Sequence, residues 1–252
     1  MSGHSKWATI KRKKSKIDGE RGKIFTKLSK EIIVAVRQGG PDPDGNFRLK
    51  LCIQNAKANN MPNDNIQRSI QKAAGMTETE VYEEIYYEGY GPAGVAILCL
   101  IMTDNRNRTA SEVRYIFSRN GGNLGETGCV AWMFDRKGQL LIDSEDMDEA
   151  NAEKLFMTAL EAGADDITNE GGEAEIIVTP ELLESVREAV IAAGFEVKQA
   201  DIVMLPQNTI EIDDLEQAET ILSLIEKLED NDDVRAVYAN FNISDEIMMK
   251  LE

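Results

Sequence analysis

The hydrophobic period of this chain first changes between Gly75 and Tyr82, from helical stripes alone to strands mixed with helices, and that change limits what it can fold into. Before it, the apolar stripes have helical spacing. Ile24, Phe25, Leu28, Ile32, Ala35 and Val36 recur at helical intervals until Gly39-Gly40 stops the run. The turn Pro41–Asn46 leads to a second stripe, Leu49, Cys52, Ile53 and Ala56. Asn59–Asn63 breaks that helix, and Ile66, Ile70 and Ala73 mark a third that ends at Gly75. Residues 1–78 are therefore expected to be a basic arm followed by a small three-helix domain.

From Tyr82 onward strand-like segments appear. Tyr82–Glu88 and Val95–Thr103 read as two strands joined by GYGPAG. A helix follows, with Thr109 and Glu112 at capping-box spacing, and Gly121-Gly122 ends it; Cys129–Phe134 reads as another strand. Residues 139–204 then alternate: strand Gln139–Asp143, helix Met147–Ala162, strands Asp165–Thr168 and Glu175–Thr179, helix Pro180–Ala193, strand Phe195–Met204. Pro180 in a first turn and Gly194 just past a helix end are the expected punctuation. The order βαββαβ is the ferredoxin-like plan. Strand Thr209–Ile212, an amphipathic helix through Leu215, Ile221, Leu222, Ile225 and Leu228, and strand Val234–Phe241 complete the chain. These last elements make no fold alone, so residues 207–252 are expected to pack with 79–135, leaving 136–206 as an insertion. The expected fold class is α+β, with three domains.

Several function classes drop out. The longest uninterrupted apolar run, Val95–Met102, is eight residues, against the roughly 20 that a membrane helix needs. The N-terminal charges precede no apolar stretch of the secretory kind. Cys52, Cys99 and Cys129 form no CxxC pair and read as reduced thiols in a cytoplasmic protein. GYGPAG matches the dinucleotide fingerprint literally. It opens a strand rather than a helix and contains Pro92, so it reads as a glycine-rich hairpin turn. His4 is the only histidine, which leaves no ordinary His-based triad and no His-Cys zinc set. Asp230–Asp233, DNDD, lacks the EF-hand spacing and reads as a solvated helix-to-strand turn. No catalytic residue, metal ligand, cofactor or small-molecule substrate is expected.

Charge carries the positive signal. The chain is −17 overall, yet residues 1–75 hold 16 Lys/Arg against 6 Asp/Glu, a net of +10, and residues 76–252 a net of −27. Within the insertion, residues 136–206 carry 17 acids and 5 bases, and its strand EIIVT lacks the aromatics of an RNA-recognition motif. The arm is the opposite: Lys6, Lys11, Arg12, Lys13, Lys14 and Lys16 occur without an acid among residues 1–16. Such a cluster is suited to neutralising phosphates. Trp7 either stacks on an unpaired base, wedges into a groove, or packs against the helical core. Lys23, Lys27, Lys30 and Arg37 share the polar face of the first helix, open to phosphate or to water. Arg106 and Arg108 flank a helix start and read as a structural loop.

The stretches SGHSKWATIK, RGKIFTKLSKEI, NNMPNDNIQRSIQKAAG (59–75), YEGYGPAG (87–94), TDNRNRTASEVR (103–114) and NGGNLGETGCVAWMF (120–134) resemble the YebC family. The match runs end to end and is looser over residues 136–252. The resemblance implies a helical N-terminal domain and two α/β domains around a cleft, with no enzyme activity or cofactor. Family members are described as cytoplasmic DNA-binding transcriptional regulators. A mitochondrial relative is a translational activator, and bacterial relatives are linked to ribosomes translating proline-rich stretches. Carried over by position, Gly3–Lys16 and the basic first helix are the nucleic-acid-facing candidates. The expected partner is DNA or ribosomal RNA, with a ribosome or another basic protein surface beside it. The start of the chain at the arm, without a transit peptide, favours the bacterial cytoplasmic form.

Overall fold

The computed structural model describes residues 21–75, 82–170 and 172–251. The arm cations and Trp7 lie outside them. Three helices come first: α1 (Arg21–Gly39), α2 (Phe47–Ala58) and α3 (Asn63–Gly75). Asn46 starts α2 by accepting the N–H of Leu49, while its amide donates to the carbonyls of Ala35 and Gly40. One side chain thus fixes the turn between two helices. There follow β1 (Glu83–Tyr90), β2 (Ala96–Thr103), α4 (Arg106–Arg119), β3 (Asn123–Leu124) and β4 (Phe134–Asp143). Next come α5 (Glu149–Ala162), β5 (Asp166–Glu170), β6 (Glu173–Val178), α6 (Leu183–Ala192) and β7 (Val197–Pro206). Last are β8 (Ile210–Ile212), α7 (Leu215–Glu229), β9 (Val234–Ala239), β10 (Phe241–Ile243) and α8 (Asp245–Leu251). The fold is α+β, with eight α-helices and ten strands among the described residues.

The chain forms two compact units. One takes the described residues up to Val34, those between Gly75 and Asp135, and those from Pro206 onward. Its main sheet has the order β3-β1-β2-β9, antiparallel at each pairing. β2 is buried along its whole length, as its apolar sequence from Ala96 to Met102 requires, with Thr103 the one polar residue at its end. Ile97, Cys99 and Ile101 share a core with Val113 and Phe117 of α4 and Ile221, Leu224, Ile225 and Leu228 of α7. Burial pushes the Cys99 thiol well above its ordinary pKa.

The last strand of the sequence reading divides in two. Asn240 is buried, and its side chain accepts the N–H of Ala96 at 2.7 Å while its carbonyl accepts that of Ile210. The chain therefore leaves the main sheet after β9, and β10 pairs in parallel with β8. The register of β9 on β2 also slips at Leu100/Ile101, leaving Arg235 as an extra residue, and its Nε meets Glu31 of α1 at 2.5 Å. A second difference concerns Cys129–Phe134. Ala131–Met133 is a 3₁₀ turn and β4 begins only at Phe134. The N–H groups of Val130 and Ala131 are taken by the Glu88 carboxylate at 2.8 Å, so they cannot enter a strand ladder.

The other unit takes Ala35–Ala74 and Arg136–Leu205. Its sheet order, β5-β6-β4-β7, is the ferredoxin-like arrangement of the βαββαβ element order. Leu140, Ile142, Leu155, Ala159, Ile176, Val186 and Val190 fill its core, together with Leu51 of α2. Asn55 of α2 donates to the Ala200 carbonyl at 3.1 Å, and Lys50 bridges Glu184 of α6 at 2.6 Å.

Candidate nucleic-acid interface

α1 begins without an acidic residue in its first turn, so Lys23 adds positive charge to the positive end of the helix dipole. Lys23, Lys27 and Lys30 recur at spacings of four and three, which puts them on one face. The structure sets that face against the turn after α7. Lys23 Nζ lies 3.0 Å from Asp230, in an exposed pair whose side chains are 50% and 63% accessible. Lys27 donates to the Glu229 carbonyl. Burial lowers its pKa to about 8, against the opposing pull of Glu229 and Asp232. Lys30 is buried, donating to the Asp232 carbonyl at 2.8 Å and to Asp233 Oδ1 at 2.6 Å.

Asp233 is the hub of this arrangement and is itself buried. Its other oxygen accepts from Arg108 Nη2 at 2.6 Å and Thr109 Oγ1 at 2.7 Å, with Thr103 Oγ1 at 3.2 Å. Burial alone would raise the carboxyl pKa. The hydrogen bonds from Lys30, Arg108 and Thr109 outweigh it and hold the group down at about 2. Arg108 in turn is held protonated by Asp233 and Asp104. Lys23, Thr26, Lys30, Arg108, Glu112 and Asp230–Asp233 line an open polar cavity of about 480 Å³.

Three local readings change here. Arg106 and Arg108 lie in the first turn of α4 rather than in a loop. DNDD is solvated at Asp230 and Asp232, but its last carboxylate is inside the protein. Thr109 does not open α4. The helix starts at Arg106, and Asn105 caps it by accepting the N–H of Arg108 at 3.1 Å. Thr109 lies in the next turn, fully buried, where its hydroxyl serves Asp233 rather than a cap.

A second built feature lies on β1. Glu88 is 3% exposed, and its carboxylate accepts three backbone N–H groups: Gly128 at 2.6 Å, Val130 and Ala131 at 2.8 Å. Burial opposes ionisation, yet these three donors bring its pKa below the usual carboxylate value. GYGPAG is a hairpin connection between β1 and β2, with Ala93 at φ 57° and Gly94 at φ 78°. Among the described residues no cluster of His, Cys, Asp and Glu is placed to hold a metal ion, and no helix is long and apolar enough to cross a membrane.

Residues 5–76 match the TACO1/YebC protein N-terminal domain, and residues 82–241 match the TACO1/YebC second and third domain. The chain belongs to the TACO1/YebC family. A probable transcriptional regulatory protein of Desulfitobacterium hafniense is 58% identical over 247 residues, 98% of each chain. One of Moorella thermoacetica is 55% identical over 253 residues, covering both chains fully. The crystal structure of the conserved hypothetical protein Aq1575 from Aquifex aeolicus is similar, with a TM-score of 0.87 at 46% identity. It covers 93% of this chain and is itself covered to 95%. Within this TACO1/YebC chain, sequence reasoning passed over Thr103 and gave Asp233 and Thr109 other roles, in a solvated turn and a helix cap. No spacing rule joins them, because β2, α4, α1 and the turn after α7 meet only in three dimensions.

Proposed function

We propose that this chain is a non-catalytic regulator of gene expression that binds nucleic acid through its basic N-terminal arm, in the cytoplasm and without a cofactor. The observation that carries the reading is the division of charge, +10 over residues 1–75 and −27 beyond. The body repels phosphate, and Lys27 and Lys30 of α1 are engaged with the turn Glu229–Asp233. Phosphate affinity therefore rests on Lys6, Lys11, Arg12, Lys13, Lys14 and Lys16, with Trp7 stacking on an exposed base and Lys23 continuing the cationic tract into α1. The transcriptional names of the relatives support DNA as the template.

The same charge division also favours a second template. Ribosomes present RNA phosphate and basic proteins side by side, complementing both signs at once. Sedimentation of tagged protein with ribosomes at near-physiological salt, against excess duplex DNA that includes its own upstream region, separates the two. Retention on ribosomes that is lost when Lys11, Arg12, Lys13 and Lys14 become Glu favours RNA. Displacement by one promoter fragment about 10³-fold better than by random duplex establishes transcriptional regulation. Absence of binding to either template, with or without the four substitutions, would refute the reading.

A further inference from the structure

We infer that Tyr90 and Trp132, with the loop that carries them, form a docking platform for an arginine- or lysine-bearing segment of a partner protein, independently of the nucleic-acid reading above. Trp132 is 67% exposed and Tyr90 36%. Both direct their polar atoms at one acceptor: Trp132 Nε1 donates to the Cys129 carbonyl at 3.2 Å and the Tyr90 hydroxyl to the same oxygen at 3.1 Å. What remains for a partner is ring surface.

The platform is also rigid. The three N–H groups that Glu88 accepts come from Gly128, Val130 and Ala131, on either side of Cys129. Gly125 is packed so closely that a Cβ there would lie 2.6 Å from Cys129 Sγ. A buried, ionised carboxylate thus shapes a loop whose product is an exposed indole. Exposed Trp and Tyr on a fixed frame are the side chains that dominate protein interfaces.

Charge selects the partner. Residues 120–135 contain Glu126 and Asp135 between the flanking Arg119 and Arg136, Glu88 adds a carboxylate beneath the loop, and residues 76–252 as a whole carry a net of −27. A nucleic-acid strand would bring phosphates to this frame. A guanidinium or ammonium group gains both from the ring face and from the negative charge of the body. The chain already makes such a contact within itself, with the Arg119 guanidinium 5.9 Å from the Tyr115 ring.

The test uses full-length protein carrying Trp7→Phe, which leaves Trp132 as the only tryptophan of the two. Octa-arginine is the probe, read by Trp132 emission, and by anisotropy of the labelled peptide against further Trp132 variants. Octa-arginine is expected to perturb Trp132 emission. Trp132→Leu should weaken the peptide about fivefold, the scale of one cation–ring contact. Trp132→Phe, which keeps a ring but loses the N–H, should retain most of the affinity. Equal binding by the Leu variant would mean only general attraction to an acidic protein and would overturn the platform. So would unchanged emission, or oligo(dT) displacing the peptide and shifting Trp132 more strongly, which would transfer the site to nucleobases.

Discussion

Removing the charge of Asp233 while keeping its shape isolates what this one residue holds together. Asp233→Asn leaves the Lys30 ammonium buried beside a neutral amide and presents an N–H₂ group to Arg108 or Thr109. The expected loss is about 3 kcal/mol, read as a lower urea midpoint, because breaking a buried pair strands the remaining charge. The same residue sets a pH dependence. Its folded pKa, about 2, lies below the value near 3.9 of an unfolded chain. As pH falls the unfolded chain takes up the proton first, so stability rises with pH across this window. A contribution of about 2 kcal/mol should be complete above about pH 4 and vanish toward pH 2. The stability difference between native protein and Asp233→Asn, measured in urea at stepped pH, should shrink over that interval and stay flat between pH 5 and 7. At this scale the sequence is least legible. The shared face of Lys23, Lys27 and Lys30 can be read from spacing, but its neighbour, a turn 200 residues away in the chain, cannot. Nothing local distinguishes Asp233 from Asp232, yet one is buried and the other exposed.

Among elements, legibility follows how local the determinant is. The βαββαβ order was readable because each helix and strand carries its own period, and Pro180 and Gly194 punctuate α6 in place. The α4 start was misread because Asn105 and Thr109 are both good cap residues. Only burial of Thr109 beside Asp233 decides between them. The strand expected at Cys129–Phe134 failed for a similar reason: its apolar run is real, but Glu88, about 40 residues earlier, claims its N–H groups. Glu88→Gln tests that account. A Gln offers one acceptor oxygen and turns an N–H₂ toward backbone N–H groups, leaving buried donors unsatisfied. Stability should fall by about 2 kcal/mol or more, and hydrogen exchange at Gly128, Val130 and Ala131 should accelerate. Unchanged exchange at those three amides would show that the loop holds its shape without the carboxylate.

For the whole molecule, the α+β class was legible from periodicity and the polarity from charge counting. The engagement of the α1 lysines was not, because charge counts carry no information about which acid faces which base. The engagement of Lys27 and Lys30 narrows the proposal to the arm and Lys23, and the most direct measurement is the salt dependence of nucleic-acid affinity. If the six arm cations contact duplex phosphate, the slope of log K against log salt should approach about −5 for the full chain. Deletion of residues 1–16 should flatten it and weaken binding to every sequence alike. An equally steep slope in the truncated protein would contradict the arm as the source of affinity and return the role to Lys23, Lys27 and Lys30.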